Sequence, residues 1–196
     1  MRERNVKQLL MERGRNLHLG CGDRSSSGWL NVDANGNAGV DLQWDLREPL
    51  PFDDSSCRLI YSEHLLEHLM KEDGEELLAE CYRLLEPGGR LRIGVPDAEL
   101  YLRSYVEGRA AFFNELAHLG GAVNRLSTPI DVINQMFRMG GAHRFAWDFE
   151  ALMNSLRRAG FDSIQRFSPG EASSPKLCLD DPEHAFETLY VEAIKA

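Results

Sequence analysis

The stretch from residue 58 to residue 95 places the strongest constraint on the fold of this chain. Residues 58–62 and 90–95 are short apolar runs bounded by turn residues, a pattern typical of buried strands. Between them, residues 75–86 carry apolar side chains at helical spacing, and we expect the Pro-Gly-Gly at 87–89 to end that helix. A helix that joins two strands over this distance indicates a parallel crossover. The chain is therefore predicted to be an α/β protein with a parallel sheet.

The same patterns extend the predicted sheet on both sides of this crossover. Further strands are expected at 16–19, 30–33, 162–167 and 187–194. Residues 148–159 predict an amphipathic helix, for which Asp148 is a suitable N-cap and Gly160 a C-terminal stop. An amphipathic helix is also expected over residues 1–14. We therefore predict a Rossmann-like, doubly wound sheet with helices packed on it.

Residues 97–147 form an insertion between the 90–95 strand and the 148–159 helix. The insertion is rich in aromatic, methionine and histidine residues. Insertions of this length in a compact domain usually carry function. We expect this one to be mainly helical and to serve as a lid or substrate wall, or else as an oligomer contact, which leaves a homodimer open.

Length and composition limit the classes of protein to which the chain can belong. Its 196 residues fit a single domain over residues 1–196. The formal net charge of −9 disfavours binding to duplex nucleic acid, and no stretch is apolar for long enough to insert into a membrane. The four cysteines are scattered without a CxxC pair, so neither a zinc knuckle nor a disulfide framework is expected. A small-molecule substrate and a reducing cytoplasm fit these features.

A glycine-rich turn directly follows the first of the predicted strands. Gly20 and Gly22 flank Cys21, and glycine lets the backbone approach a ligand with no Cβ in the way. In open parallel sheets, ligands bind beyond the carboxyl ends of the strands. The next strand ends in Asp33, whose carboxylate is suited to accept hydrogen bonds from ribose hydroxyls. The turn and this aspartate together predict a site for a cofactor that contains a nucleoside.

Two further features narrow the choice of cofactor. Asp45 could accept a hydrogen bond from an adenine amino group, and Leu46 could lie against the adenine ring. Dinucleotide cofactors need the longer G-x-G-x-x-G loop, which carries a pyrophosphate, but this chain has Ser25 at the third glycine position. S-adenosylmethionine has no pyrophosphate to hold. The short glycine turn therefore favours S-adenosylmethionine over a nicotinamide dinucleotide.

The order of these motifs resembles that of class I S-adenosylmethionine-dependent methyltransferases of the small-molecule branch, the methyltransferase type 11-like family. The resemblance covers roughly residues 16–167 and rests on segments 17–22, 28–33, 45–52, 59–68, 84–89, 143–145 and 156–161. It implies a seven-stranded, mostly parallel sheet whose antiparallel last strand is the one near 187–194 or its neighbour.

The resemblance also implies which residues contact S-adenosylmethionine. These are Gly20, Cys21 and Gly22 for the methionine part, Asp33 for the ribose, Asp45 and Leu46 for the adenine, and Ser62, Glu63 and His64 beneath the cofactor. His18 and Arg24 stand where the family often has an acidic residue and a third glycine, so neither position takes a role from the family. The connection after the glycine turn is short, which predicts an abbreviated first crossover helix.

A rival pattern begins at His64. Residues 64–68 read H-x-x-E-H, the inverted zinc-peptidase signature, in which His64, Glu67 and His68 would lie on a helix. A zinc site also needs a third protein ligand, for which the sequence offers only an undistinguished set of nearby glutamates. The peptidase interpretation leaves the glycine turn and Asp33 unexplained. It stays the less favoured alternative, and no metal is assigned.

Methyl transfer from a sulfonium requires the acceptor atom to be held in line with the methyl carbon. A hydroxyl acceptor also benefits from a general base, for which the candidates are His143, His118, His64 and Asp97. His143 is preferred because it follows flexible glycines at the end of the insertion, and His64 is the second catalytic candidate. We predict methyl transfer to a small-molecule or carbohydrate acceptor at oxygen. The alternative outside catalysis is an inactive protein that binds the cofactor and serves as a partner subunit.

Overall fold

The computed structural model describes residues 13–118 and 126–196, in which seven strands form one sheet. The strands are β1 (Arg15–Leu19), β2 (Leu30–Asp33), β3 (Leu42–Gln43), β4 (Cys57–Glu63), β5 (Leu85–Pro96), β6 (Ser163–Phe167) and β7 (Thr188–Ile194). Six of them coincide with runs that the sequence pattern predicts. The two-residue β3 is too short to produce such a pattern. The helix predicted over 1–14 lies almost entirely outside the described residues.

The strand order in the sheet is β3-β2-β1-β4-β5-β7-β6. Strands β1 to β5 pair in parallel, whereas β7 is antiparallel to both of its neighbours, β5 and β6. Because the chain winds outwards from β1 in one direction and from β4 in the other, the two strands meet at a topological switch point, where ligands bind in such sheets. The predicted Rossmann-like sheet with an antiparallel 187–194 strand is confirmed.

Five α-helices accompany the sheet in the described residues. They are α1 (Lys71–Leu84), α2 (Ala98–Val106), α3 (Ala110–His118), α4 (Pro129–Arg138) and α5 (Phe149–Ala159). The predicted ends of α5 are confirmed, since Asp148 Oδ1 accepts from the backbone N–H of Ala151 at 2.7 Å and Gly160 adopts a φ of 111°. None of the helices described is long and apolar enough to cross a membrane.

The sequence prediction is wrong for the connection between α1 and β5 and is confirmed for the crossover after β1. The expected Pro-Gly-Gly stop for α1 is wrong, because the helix already ends at Leu84 and Leu85 pairs with Cys57 as the first residue of β5. Burial of Leu85 in the sheet outweighs its helix propensity. The first crossover, by contrast, is abbreviated as predicted, since residues 20–29 form turns without a helix.

The insertion at 97–147 has a hydrophobic cluster of its own. Its helices α2, α3 and α4 contribute the buried apolar side chains of Ala98, Tyr101, Phe113, Leu116, Val132, Ile133 and Met136. The main core instead joins the sheet to α1 and α5, and Trp147 at the end of the insertion is fully buried in it. The insertion is therefore a packed helical layer beside the carboxyl ends of the strands.

Residues 168–187, between β6 and β7, are fixed to the sheet by a buried ion-pair network. Arg92 on β5 has a fully buried side chain, which donates to Asp180 at 2.8 and 2.6 Å and to Glu192 at 2.9 Å. Its guanidinium also lies 4.7 Å from the ring centroid of Tyr190. Burial alone would lower the pKa of Arg92, but Asp180 and Glu192 more than compensate and raise it. This network decides where the 168–187 segment lies.

Removal of one partner from this network should destabilise the protein strongly. We expect Asp180→Ala to lower the free energy of unfolding by about 3 kcal/mol, because Arg92 then keeps a buried charge with only one carboxylate. Asp54→Ala is the matched control, since Asp54 forms an exposed pair with Arg83 and its loss should cost below about 1 kcal/mol. Urea unfolding of both variants measures the difference, and equal losses would contradict the assignment.

Candidate active site

A cavity of about 560 Å³ opens at the carboxyl ends of β1 and β4. Four parts of the chain form most of its wall: the glycine turn after β1, the end of β4 with the residues that follow it, the insertion with residues of α2, α3 and α4, and the 168–187 segment. The location is the one at which open parallel sheets bind ligands, and the volume lies within the usual range for small-molecule sites. The cavity is the candidate active site.

The glycine turn needs glycine for two different reasons. Gly20 and Gly22 have φ values of 67° and 55°, which side-chain-bearing residues rarely adopt. A Cβ on Gly20 would also lie 2.9 Å from Leu65 Cδ1, so the turn packs tightly against the residues that follow β4. A Cβ on Gly22 would meet nothing within 4 Å, so the backbone there faces open space. A ligand therefore has room to approach the backbone at Gly22, as the sequence predicts.

The carboxylate of Asp33 stands directly behind the glycine turn. Its Oδ2 accepts from the backbone N–H of Gly22 at 2.9 Å, and its Oδ1 accepts from that of Asn35 at 2.8 Å. Each oxygen keeps a lone pair for a further donor such as a ribose hydroxyl. Asp33 is buried and lies beside the cavity rather than on its wall.

Three other residues predicted to contact the cofactor do not line this cavity. Asp45 is partly exposed and is paired with Arg47, whose hydrogen bonds lower the pKa of Asp45 to about 2. Leu46 is buried in the main hydrophobic core, and Ser62 is buried within β4. Their predicted contacts with the adenine and with the underside of the cofactor stay predictions.

Glu63, at the end of β4, is a buried carboxylate with several donors. It accepts from the hydroxyls of Tyr61 at 2.9 Å and Tyr190 at 2.6 Å, and from the backbone N–H of Asp181 at 3.1 Å. Arg24 bridges the carboxylates of Glu63 and Asp181. Burial, together with the charge of Glu63, raises the pKa of both tyrosines far above neutrality, so both hydroxyls stay protonated donors. Glu63 thereby joins β4, β7 and the 168–187 segment.

His64 follows Glu63 with a left-handed backbone, at a φ of 51°. Its Nδ1 lies 3.2 Å from Glu67 Oε1, and its Nε2 lies 3.0 Å from the hydroxyl of Thr188. Burial opposes protonation of His64, but the hydrogen bond to Glu67 and the charges of Glu67, Glu187 and Glu63 outweigh it and raise the pKa. His64 lines the cavity, and both of its ring nitrogens are hydrogen-bonded to neighbouring side chains.

A second histidine–glutamate pair lies in the 168–187 segment, where the sequence predicts no site residue. His184 Nδ1 lies 2.5 Å from Glu187 Oε1, and its ring centroid lies 5.0 Å from that of His64. Tyr101 of α2 donates to the other oxygen of Glu187. The hydrogen bond with Glu187 raises the pKa of His184. Nothing in the sequence pattern of 168–187 indicated that these residues reach the carboxyl end of β4.

The H-x-x-E-H residues do not form the helix that a peptidase site requires. His64 precedes a one-turn 3₁₀ helix over Leu66–His68, so His64 and His68 are not one turn apart on an α-helix. Glu67 is buried, and its Oε2 has no partner within the described residues. His143 contacts His68 instead, with ring centroids 4.7 Å apart. The cavity thus brings Glu67 and His68 next to His143.

His143 enters the cavity at the end of the insertion. Its Nδ1 is hydrogen-bonded to the carbonyl oxygen of Met136, which leaves Nε2 with a lone pair. The backbone N–H of Arg144 donates to the carbonyl of Glu67 at 2.7 Å, so the insertion is fastened to the segment after β4. Asp97, another candidate base, is instead the N-cap of α2 and is paired with Arg166. The side chain of His118 lies outside those described.

S-adenosylmethionine fits the glycine end of this cavity. The open space at Gly22 admits a ligand next to the backbone, and Asp33 offers acceptor capacity beside it. Nδ1 of His18, a buried atom without a partner in the described part of the chain, lies at the same end. Burial and the nearby Arg24 lower the pKa of His18 to about 4, so its ring is neutral at pH 7. The residues present therefore suit a polar, nucleoside-bearing ligand.

Comparisons with known proteins associate part of the chain with methyltransferases. Residues 17–93 match the model of a family described as a methyltransferase domain. No curated protein sequence matches the chain significantly.

Many solved structures share the fold. An Archaeoglobus fulgidus SAM-dependent methyltransferase gives a TM-score of 0.57 at 17% identity, over 97% of this chain and 90% of that one. A Thermotoga maritima SAM-dependent methyltransferase, a possible histamine N-methyltransferase, gives 0.55 at 19%, over 96% and 85%. Haemonchus contortus phosphoethanolamine N-methyltransferase 2, in complex with S-adenosyl-L-methionine, gives 0.53 at 14%, over 94% and 49%. At these identities the likeness is one of fold and leaves the acceptor open.

The thiols should differ sharply in reactivity. Burial and the nearby Asp33 raise the pKa of Cys21 to about 11, and burial raises that of Cys57 to about 11, so both are neutral thiols at pH 7. Cys81 is buried, whereas Cys178 is exposed. We expect a disulfide reagent to modify one thiol quickly at pH 7, and Cys178→Ser to abolish that phase. Rapid modification of a second thiol in the native protein would contradict this assignment.

Proposed function

We propose that this class I S-adenosylmethionine-dependent methyltransferase transfers a methyl group to oxygen in a small-molecule or carbohydrate acceptor. The observation that carries the proposal is that the glycine turn and His143 line the same cavity. The cofactor would bind at the glycine end with its methyl group towards the insertion. The acceptor would enter between the insertion and the segment after β4.

The choice of oxygen rests on the polar groups at the insertion end. A hydroxyl acceptor loses its proton during methyl transfer, whereas a neutral amine can attack before it loses one. His143 has its Nδ1 held by Met136, so the free Nε2 can receive a hydrogen bond from a hydroxyl. His64 is less suited to this task because Glu67 and Thr188 engage its two nitrogens. We therefore give His143 the proton-handling role and His64 a positioning role.

The insertion supports a small acceptor rather than a macromolecule. Val132, Met136 and Met139 line the cavity with apolar surface, and Gln135 adds a polar group that can contact an acceptor hydroxyl. A site of this composition suits a small molecule with both apolar and hydroxyl-bearing parts. We propose that 97–147 is the substrate wall, and the carbohydrate class rests on the resemblance of the sequence alone.

The four cysteines support the proposed setting. All four are free, and three of them are buried. Free cysteines are typical of proteins in reducing compartments. We propose the cytoplasm as the site of action.

Asp33 gives a direct test of the cofactor site. We expect Asp33→Asn to weaken S-adenosylmethionine binding by roughly 10-fold, about 1.4 kcal/mol, because a charged acceptor for the ribose hydroxyls is lost. Calorimetric titration measures the affinity, and a thermal melt confirms that the variant is folded. Asp53→Asn, at an exposed carboxylate away from the cavity, is the control and should bind normally. Equal affinities for the two variants would remove Asp33 from the cofactor site.

The reaction itself is tested with methyl-labelled S-adenosylmethionine and fractionated cell extract. We expect label to enter a small-molecule or carbohydrate fraction as a base-stable ether. His143→Ala should reduce transfer by about 100-fold or more while cofactor affinity is kept. Arg138→Ala, at an exposed position near the end of α4, should transfer normally.

Two outcomes would contradict this proposal. Tight cofactor binding without transfer to any fraction would favour the inactive partner protein. Normal transfer by His143→Ala would remove His143 from the mechanism.

A further inference from the structure

Three side chains at the insertion end of the cavity form a set of a kind that binds metal ions. Glu67, His68 and His143 each offer one ligand atom, and these atoms lie within 4.8 Å of one another. Two imidazoles and one carboxylate are a ligand set used by catalytic zinc sites and by other divalent transition metals. Tetrahedral coordination at metal–ligand distances of roughly 2.1 Å places ligand atoms about 3.4 Å apart. The three atoms would therefore have to approach one another by up to about 1.4 Å, which side-chain rotation can provide.

We propose that Glu67, His68 and His143 bind one divalent transition-metal ion of the zinc type in the wall of the cavity. The first independent support is Glu67 Oε2, a buried oxygen without a donor among the described residues. Buried carboxylate oxygens in folded proteins normally have partners, and a missing partner calls for an explanation. A cation between Glu67 and the two imidazoles supplies the missing interaction.

The second support is the orientation of the ligands by groups behind them. Histidines that bind metals usually donate their other ring N–H to a carbonyl or carboxylate, which fixes the ring and the free nitrogen. His143 meets this condition through Met136 O, so its Nε2 is the available ligand atom. Glu67 is held in the same way, because His64 occupies Oε1 and leaves Oε2 for the ion.

The third support is the backbone that fastens the two halves of the set. Glu67 and His68 belong to the 3₁₀ helix after β4, whereas His143 ends the insertion some seventy-five residues later in the chain. The carbonyl of Glu67 accepts from the N–H groups of Arg144 at 2.7 Å and Phe145 at 3.3 Å. The cluster is therefore built by the fold and does not depend on flexible side chains that happen to meet.

The ion would have a task in the reaction, and this step rests on the proposed function. With three protein ligands, a zinc-type ion keeps a coordination position that can take an oxygen from the cavity. An acceptor hydroxyl bound there would have a lowered pKa and would lose its proton to solvent more readily, which leaves a better nucleophile for the methyl carbon. His143 would then carry out its proposed proton-handling role through the ion that it helps to hold, since the bound ion promotes loss of the acceptor proton.

Cobalt provides a probe that does not depend on activity. We expect the metal-stripped chain to bind one Co²⁺, detected by its visible absorption, and Zn²⁺ to displace it. Glu67→Gln and His143→Gln should each weaken Co²⁺ binding by about 100-fold or more, and His64→Ala, behind Glu67, by about 10-fold or more. His184→Gln is the matched control, because His184 also lies in the cavity beside a glutamate but outside the ligand set. It should bind Co²⁺ as the unmodified chain does.

The outcomes separate this inference from the proposed function. Absence of Co²⁺ binding by the unmodified chain, or binding that Glu67→Gln and His143→Gln leave unchanged, would overturn the metal site even if methyl transfer is observed. Thermal melts show whether each variant is folded. If the metal binds as expected, a chelator should stop transfer of labelled methyl and Zn²⁺ should restore it. Transfer that continues without bound metal would overturn the ion's task, and a chain that binds metal but transfers no label would refute only the proposed function.

Discussion

The cavity depends on one buried carboxylate, that of Glu63. A buried charge without donors costs several kcal/mol, so the groups that donate to Glu63 have to remain where they are. Tyr61 donates from the same strand, Tyr190 from the antiparallel strand β7, and Asp181 from the 168–187 segment. The cavity exists in its described form because this requirement fixes a long loop against the ends of two strands. Arg92 holds the same part of that loop through Asp180, the residue next to Asp181.

The sequence predicts the fold well where short-range patterns are strong. Apolar runs locate β1, β2, β4, β6 and β7, and the caps of α5 follow from Asp148 and Gly160. The pattern fails where pairing within the sheet decides the outcome. Leu85 has helical spacing but extends β5 because it pairs with Cys57, and the two-residue β3 exists only through its contacts with β2. Such contacts join residues distant in sequence, which periodicity does not report.

The candidate site, like the fold, is predicted where local patterns are strong and not where distant residues meet. Six residues that the sequence predicts for the site line one cavity, and Asp33 lies directly behind it. These six are Gly20, Cys21, Gly22, Glu63, His64 and His143. Three further predicted residues do not line the cavity, which no local pattern indicates: Asp45, Leu46 and Ser62. The sequence predicts no role for His184 and Glu187, because Glu187 is tied to the cavity through Tyr101, eighty-six positions away in the chain. Local sequence patterns indicate residues near turns and strand ends, whereas the hydrogen-bond partners of a buried charge can be distant from it in sequence.

The separate hydrophobic cluster of the insertion bears on how such proteins can diverge. Its buried side chains pack mainly with one another, while those of the sheet pack with α1 and α5. Substitutions of Val132 and Met136, which belong to this cluster and line the cavity, can therefore reshape one wall at little cost to the rest of the core. The glycine turn and Asp33 lie outside that cluster and would be unaffected. The architecture allows the choice of acceptor to drift over evolutionary time while the cofactor stays the same.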